Sequence, residues 1–512
     1  MGPNWRQIYV LTIILRFIFG LSNSYIHPDE HFQNFEVLAS KFFGFSTTIP
    51  WEFSQLPSRS FGPLYIVYGP VLWFLSYFNV NITPLGIWYL IRVEFIVISW
   101  LVVDMCLYRI LPTKPERIKS VFFTSTSYVT LIYQSHCFSN SIETPLVMVC
   151  LMLINDLRFD LEVRKSGKCD YERLFYLGII VACGIFNRIT FACYFIIPSF
   201  YVFKYIWKYK IGTLVGFLGF ILPTIGFIAI DTYEFTGKLD VDNLIMTPWN
   251  NLVYNSKLDN LSQHGIHPYY THLIINLPQI LGPSILLLAY KFKNTYYRTT
   301  PFLTLVSGII FMSLVPHQEL RFLVPLLPVA TCCFDFNSLP SNQQQNDKIK
   351  KKLFNKPEAV LSSFSQLGNY ILWAWYIFNF LMCILMGIFH QGGVVPTLDH
   401  LRTIPTSKQI WWRTYSPPTW LLGDKTVKMV TVDKLIDYDN LIIDAMGSDN
   451  EVINDLLTEK SILIAPVATI NCDYNGPELK LLWKYDYHID LDHLNFTSLK
   501  CLQPGLGIYE LL

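Results

Sequence analysis

Residues 27–33 read His-Pro-Asp-Glu-His-Phe-Gln and set two adjacent carboxylates, Asp29 and Glu30, between two imidazoles, His27 and His31, with the amide of Gln33 close behind. Proline pushes the residue before it out of the helical region and itself suits the first position of a helix. The two acids therefore fall in the first turn of a helix on which Phe32, Phe35, Leu38, Ala39 and Phe42 share one face. There the helix dipole favours an ionised carboxylate, and neighbouring apolar surface opposes it. A carboxylate balanced in this way can serve as a general base. The plainer reading is that acids commonly begin helices, and the flanking histidines weigh against it.

Four more clusters carry polar groups of useful types. Pro316–Arg321 places His317, Gln318, Glu319 and Arg321 in a tight turn between two apolar segments. Ionisable groups in such a place are costly and point to function, and a guanidinium matches a phosphate bidentately. The competing reading is that Arg321 and Glu319 pair only to close the turn. His264 and His267 stand three apart with a proline following and no third ligand evident, so they read as a polar rim near a headgroup and no metal centre is expected. Asn140 and Glu143 in Ser139–Glu143, and Arg188 in Asn187–Thr190, fall at predicted hairpins. His390 opens His-Gln-Gly-Gly where the last apolar segment ends.

No glycine-rich phosphate loop, dinucleotide fingerprint, nucleophile elbow or His-Glu-x-x-His motif occurs in a suitable context. A soluble nucleotide site is thus not expected. The groups suit transfer from a lipid-phosphate donor, whose leaving group needs charge stabilisation rather than a proton. A net charge of +1 with no basic face argues against nucleic acid. The eleven cysteines show no C-x-x-C spacing; Cys472 and Cys501 alone lie in the C-terminal tail, and whether they pair is left open.

The elements that must position these groups are set by composition. The chain is 52% hydrophobic and 15% charged, against roughly 25% charged in a soluble domain. Apolar runs recur from residue 8 to residue 389, and eleven crossings are predicted, near 8–26, 86–108, 120–136, 141–156, 174–190, 191–207, 210–230, 271–290, 300–316, 320–335 and 367–389. Alternate connections hold 21 basic residues against six, so the basic set is assigned to the cytosol with the N-terminus. All five polar clusters then face the lumen, as do the Asn-x-Ser/Thr acceptors Asn81, Asn260 and Asn495. This requires that 61–78, interrupted by Gly62-Pro63 and Gly69-Pro70, be re-entrant or interfacial.

The expected fold is an all-α polytopic membrane protein with luminal interfacial helices and a small luminal C-terminal α+β domain. Residues 1–396 form the transmembrane part, with luminal loops at 27–85 and 231–270 and a cytosolic loop at 336–366; residues 397–512 form the luminal tail, where Ser461–Val467 suits a strand.

HPDEHFQ, SNSIE, HQELRFLVPLLP and HQGGVVP together resemble the dolichol-phosphate-mannose-dependent mannosyltransferases of the GT-C class, glycosyltransferase family 22, and the resemblance runs nearly end to end. Thr247–Pro283, Gly387–Pro396 and Thr414–Gly423 are most similar to the members that act on the glycosylphosphatidylinositol (GPI) anchor precursor. The resemblance implies an endoplasmic-reticulum membrane, a dolichyl-phosphate-mannose donor, no tightly bound cofactor, and an inverting α-1,2 transfer to the third mannose of that precursor. By matching the family's first-loop motif, Asp29 becomes the base and Glu30 its reserve, with Arg321 and His317 on the donor phosphate. Which carboxylate meets the acceptor stays open. The rival readings are another family member acting on the third GPI mannosylation or on the dolichol-linked oligosaccharide, a lipid or sugar transporter, and a non-catalytic subunit of a glycosylation complex.

Overall fold

The computed structural model describes residues 5–54, 56–165, 167–262, 265–289, 296–334, 366–432, 436–437, 457 and 461–511. His264 and residues 336–365 of the expected cytosolic loop lie outside them. The chain divides into two compact units. One comprises Met1–Ile18, Trp51–Gly69 and Val93–Phe380; the other comprises Phe19–Pro50, Pro70–Arg92 and Leu381–Leu512. The C-terminal sheet thus belongs with the two ends of the first loop, whose middle, Trp51–Gly69, lies in the larger unit, and the units do not follow a boundary after residue 396.

The larger unit is helical. Its longest helix, Lys210–Thr236, has 27 residues and spans about 40 Å at 1.5 Å per residue, more than a hydrocarbon core of about 30 Å. By length and composition this helix and Gly368–Phe389 can cross a membrane among the described residues. Tyr128–Ser135 with Ser139–Glu162 makes a third if that pair, bent by 116°, is one span. His272–Leu288 and Thr300–Ser313 are shorter apolar helices.

Helix Tyr171–Asn187 packs on Lys210–Thr236 through glycines. A Cβ on Gly178 would stand 2.3 Å from the Gly216 carbonyl oxygen, and one on Gly219 would stand 2.2 Å from that of Phe175. Such close backbone approach is available only to small residues, the usual device for helix pairs in lipid. Near the chain start, Arg16 is buried and meets Asp104 at 2.7 Å. Tyr9 donates to the same carboxylate at 2.8 Å and accepts from Trp100 Nε1 at 2.8 Å.

The segment expected not to cross, 61–78, is two short helices, Phe61–Val67 and Gly69–Tyr77. Neither reaches the roughly 20 residues that a span needs. Asp231 holds the start of the first: it accepts from Ser60 Oγ at 3.1 Å, Phe61 N at 2.8 Å and Thr247 Oγ1 at 2.8 Å.

The second unit contains a six-stranded mixed sheet of β1 (Lys408–Trp411), β2 (Lys428–Thr431), β3 (Ile436–Asp437), β4 (Ser461–Pro466), β5 (Leu479–Tyr485) and β6 (Leu506–Leu511), in the order β3-β2-β1-β4-β6-β5. β1 runs parallel to β2 and β4, with Ile410 opposite Val430 and Leu463. β4 is buried along its whole length, which accounts for its unbroken apolar sequence. Its Leu463 and Ala465 pack with Ile410, Trp412, Val432 and Tyr509 in one core. Cys472 and Cys501 are disulfide-bonded and join helix Val467–Cys472 to the turn Leu499–Leu502.

Candidate active site

In the second unit, His27–Gln33 forms a tight turn: Glu30 N donates to the His27 carbonyl at 3.0 Å, and Asp29 N donates to His27 Nδ1 at 3.2 Å. The helix that follows begins as a π-turn over His31–Phe35 and continues as α-helix over Glu36–Phe43. A π-turn strains backbone pairing, and the buried Asn34 amide answers by donating to the carbonyls of Asp29 (3.2 Å) and Glu30 (3.3 Å). Gln33 lies on this turn, partly exposed.

The two acids, both placed by the sequence in a first helical turn at a membrane surface, differ sharply in burial. Glu30 is fully buried and forms an ion pair of 2.9 Å with Arg92, itself 1% exposed. Arg92 also donates to the Ser24 carbonyl at 2.9 Å and lies over the Trp88 ring at 4.3 Å. Asp29 keeps 26% of its side chain exposed and stands 3.8 Å from His27 Nδ1. Glu30 is thus corrected from a surface acid to an interior one, because a guanidinium waits for it inside.

His31 is buried beside Glu30 and accepts from Trp420 Nε1 at 3.4 Å. Burial, reinforced by the charge of Arg92, pushes its pKa well below 6.5, so the ring is neutral. Of the apolar face expected from the sequence, Phe35, Leu38 and Ala39 are buried and Phe32 and Phe42 half-buried, and Glu36 is buried as well. Its carboxylate accepts from Thr419 Oγ1 and from the backbone of Thr48 and Trp420. Burial outweighs those bonds and raises its pKa from 4.5 to about 8.

His390 packs in the same unit, donating through Nε2 to the Ile26 carbonyl at 3.3 Å. Its ring lies 5.5 Å from that of Tyr415, which in turn lies 5.8 Å from the ring of His27.

In the larger unit, three motifs far apart in sequence converge. Asn140 and Glu143 are buried near the start of helix Ser139–Glu162, with Asn140 Nδ2 3.3 Å from Glu143 Oε2. Arg188 follows helix Tyr171–Asn187 in extended backbone. It stands 3.6 Å from Glu143, donates to Ser139 Oγ at 3.3 Å, and lies over the Phe322 ring at 4.7 Å. Arg321 lies 5.7 Å from that same ring. Arg59, paired with Glu52 at 3.1 Å, is near enough to act on the charges of Glu143 and Arg188. Arg188 and Arg59 therefore both act on Glu143, and Arg321 and Arg59 both act on Arg188.

Arg321 grips Glu319 through both Nε and NH2, the pairing that sequence offered as its alternative role. Glu319 also takes His317 Nε2 at 2.6 Å, and His317 Nδ1 lies 3.0 Å from the Gly265 carbonyl oxygen. Burial opposes protonation of His317, yet the bond and charge of Glu319 prevail and raise its pKa above 6.5. His267 accepts from Gln318 N at 3.3 Å and its ring lies 6.1 Å from that of His317, so the expected rim histidine does reach the turn.

Sequence reasoning missed four participants. Arg92 and Arg59 carried a signal, a lone arginine in or beside an apolar run. His272, fully buried and held by Gln318 (2.9 Å) and Asn276 (2.9 Å), carried none beyond its closeness to His267. Tyr415 carried none. Of the three acceptors, Asn81 is exposed, Asn260 Nδ2 donates to the Tyr254 carbonyl at 3.0 Å, and Asn495 Oδ1 accepts from its own Thr497 hydroxyl at 2.7 Å.

A crystal structure of ArnT from Cupriavidus metallidurans bound to undecaprenyl phosphate is similar in fold, with a TM-score of 0.54 over 99% of this chain and 98% of that one at 9% identity. The architecture is that of the GT-C membrane glycosyltransferases, mostly helical with a small C-terminal sheet. Residues 7–422 match the model of the Alg9-like mannosyltransferase family, and the chain belongs to that family. It is 49% identical to GPI mannosyltransferase 4 of Debaryomyces hansenii and 45% identical to that of Candida albicans, covering 99% of each pair of chains. It is 34% identical to GPI mannosyltransferase 4 of Saccharomyces cerevisiae, over 100% of this chain and 99% of the relative.

Proposed function

We propose that this chain transfers mannose from dolichyl-phosphate-mannose, in α-1,2 linkage, to the third mannose of the GPI anchor precursor, and so adds the fourth. The reaction runs at the luminal face of the endoplasmic-reticulum membrane, which the chain crosses about eleven times. Relatives named GPI mannosyltransferase 4 that match over the whole chain support the acceptor. The lipid phosphate carried by ArnT supports a donor of that kind.

The observation that carries the mechanism is the division between Asp29 and Glu30. A base must reach its proton, and Glu30 is buried under Arg92 while Asp29 is partly exposed. Asp29 takes the proton of the acceptor hydroxyl as that oxygen bonds to the anomeric carbon. The bond from that carbon to the phosphate oxygen breaks, and its electron pair leaves with dolichyl phosphate. One displacement inverts the β-mannosyl donor to an α product. The extra charge on the leaving phosphate is held by Arg321, oriented by Glu319 and His317, with Arg188 beside it. His27, His31 and Gln33 shape the turn that presents Asp29. His264 and His267 are assigned to the headgroup rim and His390 to the binding of substrate, and Asn140 and Glu143 position Arg188. No divalent ion is required by this scheme.

The test is the glycolipid that accumulates when the protein is removed. The proposal expects a GPI precursor with three mannoses, cleared by the wild-type chain and not by Asp29→Asn at equal abundance. Accumulation of a dolichol-linked oligosaccharide, or of a two-mannose precursor, would place the chain at another step. Near-normal clearance by Asp29→Asn would remove Asp29 from the role of base.

A further inference from the structure

Beyond Asp29, the second unit carries a row of polar and aromatic groups that begins at His27 of the same turn. His27, 3.8 Å from Asp29, lies against the Tyr415 ring. The Tyr415 hydroxyl donates to Asp492 Oδ2 at 2.8 Å. Behind them Asp490, nearly buried, accepts from Gln391 Nε2 at 3.3 Å and from Asp492 N at 3.1 Å, and stands 2.6 Å from His493 Nδ1. The exposed residues of the row, Asp492 and His493, are therefore fixed from below by an ordered carboxylate.

Two observations point to a ligand rather than a clasp. His390 is 4% exposed, and because Nε2 donates to Ile26, Nδ1 is the unprotonated acceptor. That buried Nδ1 meets no hydrogen-bonding partner among the described residues, although its ring faces Tyr415. A buried acceptor left unmet is costly, on the order of 1–3 kcal/mol. Next to it, Gln391 holds φ at +49°, a left-handed conformation rare outside glycine, and donates its N–H to Ile489 O at 3.1 Å. Strain of this kind concentrates where a side chain must be aimed.

We propose that His27, Tyr415, Asp492 and His493, backed by His390, form a subsite for the acceptor glycan. This subsite rests on the proposed transfer to a mannose-bearing glycolipid and names what holds that glycolipid beside Asp29. Sugars present vicinal hydroxyls to carboxylates and apolar C–H faces to flat rings, and the row offers both. A few placed polar groups around an aromatic face are what orient a small polar ligand. The C-terminal unit is then a specificity element and not only a fold-stabilising cap.

The test is kinetic, with the full chain in microsomes, dolichyl-phosphate-mannose as donor and a three-mannose GPI precursor as acceptor. Asp492→Asn, an exposed position that folding tolerates, and Tyr415→Phe, which keeps the ring, are compared with wild type. A hydrogen bond to a charged group contributes enough that its loss raises the acceptor KM about tenfold or more. Donor KM and protein abundance stay at the wild-type value. An unchanged acceptor KM in both variants overturns the subsite, as does a fall in abundance or kcat with KM unmoved. Failure of the wild type to use the three-mannose precursor counts against the proposed function instead, and the same variants measured on the acceptor it does use still decide the subsite.

Discussion

At the level of single residues, the first loop shows how far a motif can be read. Two acids in sequence, one helix turn and flanking histidines were legible, and so was the chemistry they permit. What separates Asp29 from Glu30 was not, because it is decided by Arg92, a residue far along the chain that enters the interior and claims only one of them. Removing one partner of a buried ion pair strands the other, at a cost of about 3–5 kcal/mol. Glu30→Gln should therefore lower the abundance and thermal stability of the purified protein, while Asp29→Asn lowers turnover alone; equal abundance in both variants would contradict this. Arg321→Lys keeps the charge and loses the planar fork that grips Glu319, and a large rise in donor KM is expected. Glu36 gives a pH signature. Its folded pKa of about 8 lies above the ordinary 4.5, so its contribution is fully present below pH 4.5 and is lost as pH rises toward 8. Glu36→Gln should flatten the fall in melting temperature across that window, and an unaltered slope would count against a protonated Glu36.

The helices and strands were partly legible. Apolar runs announced the long helix Lys210–Thr236 and strand β4, since lipid and a two-sided sheet interior both demand unbroken apolar sequence. The π-turns at His31–Phe35 and Leu385–Phe389 were not, because one extra residue in a helical turn leaves no composition signal. Glycine positions carry a sharper forecast. With backbone oxygens about 2 Å from any added Cβ, Gly178→Ala and Gly219→Ala must push helices Tyr171–Asn187 and Lys210–Thr236 apart. A loss of about 1–3 kcal/mol, read as a lower melting temperature in detergent, is expected for each. Wild-type melting would mean the two helices do not meet there. The bond between Cys472 and Cys501 closes a separation of 29 residues, and Cys501→Ser should cost about 3 kcal/mol, visible as easier proteolysis of the C-terminal tail.

For the molecule as a whole, charge asymmetry between connections supplied an orientation that helix lengths alone do not, since several predicted crossings fold as shorter pieces. A cysteine placed at exposed Asn81 should resist an impermeant maleimide in sealed microsomes and react once they are opened. Reaction in sealed vesicles would invert the orientation. The convergence of residues 140, 188 and 321 was foreseen only as a shared side of the membrane; the meeting of Asn140 and Arg188 at Glu143, and of Arg188 and Arg321 at the Phe322 ring, needed the packing of helices that no local pattern encodes. Burial of Arg16 against Asp104 has a consequence in time. Arg16 is synthesised 88 residues ahead of its neutralising carboxylate, an interval of roughly 5–20 s at ordinary translation speeds of about 5–20 residues per second. Until then the guanidinium lacks the carboxylate that the fold gives it, and the bond from Tyr9 to that same carboxylate is likewise unmade.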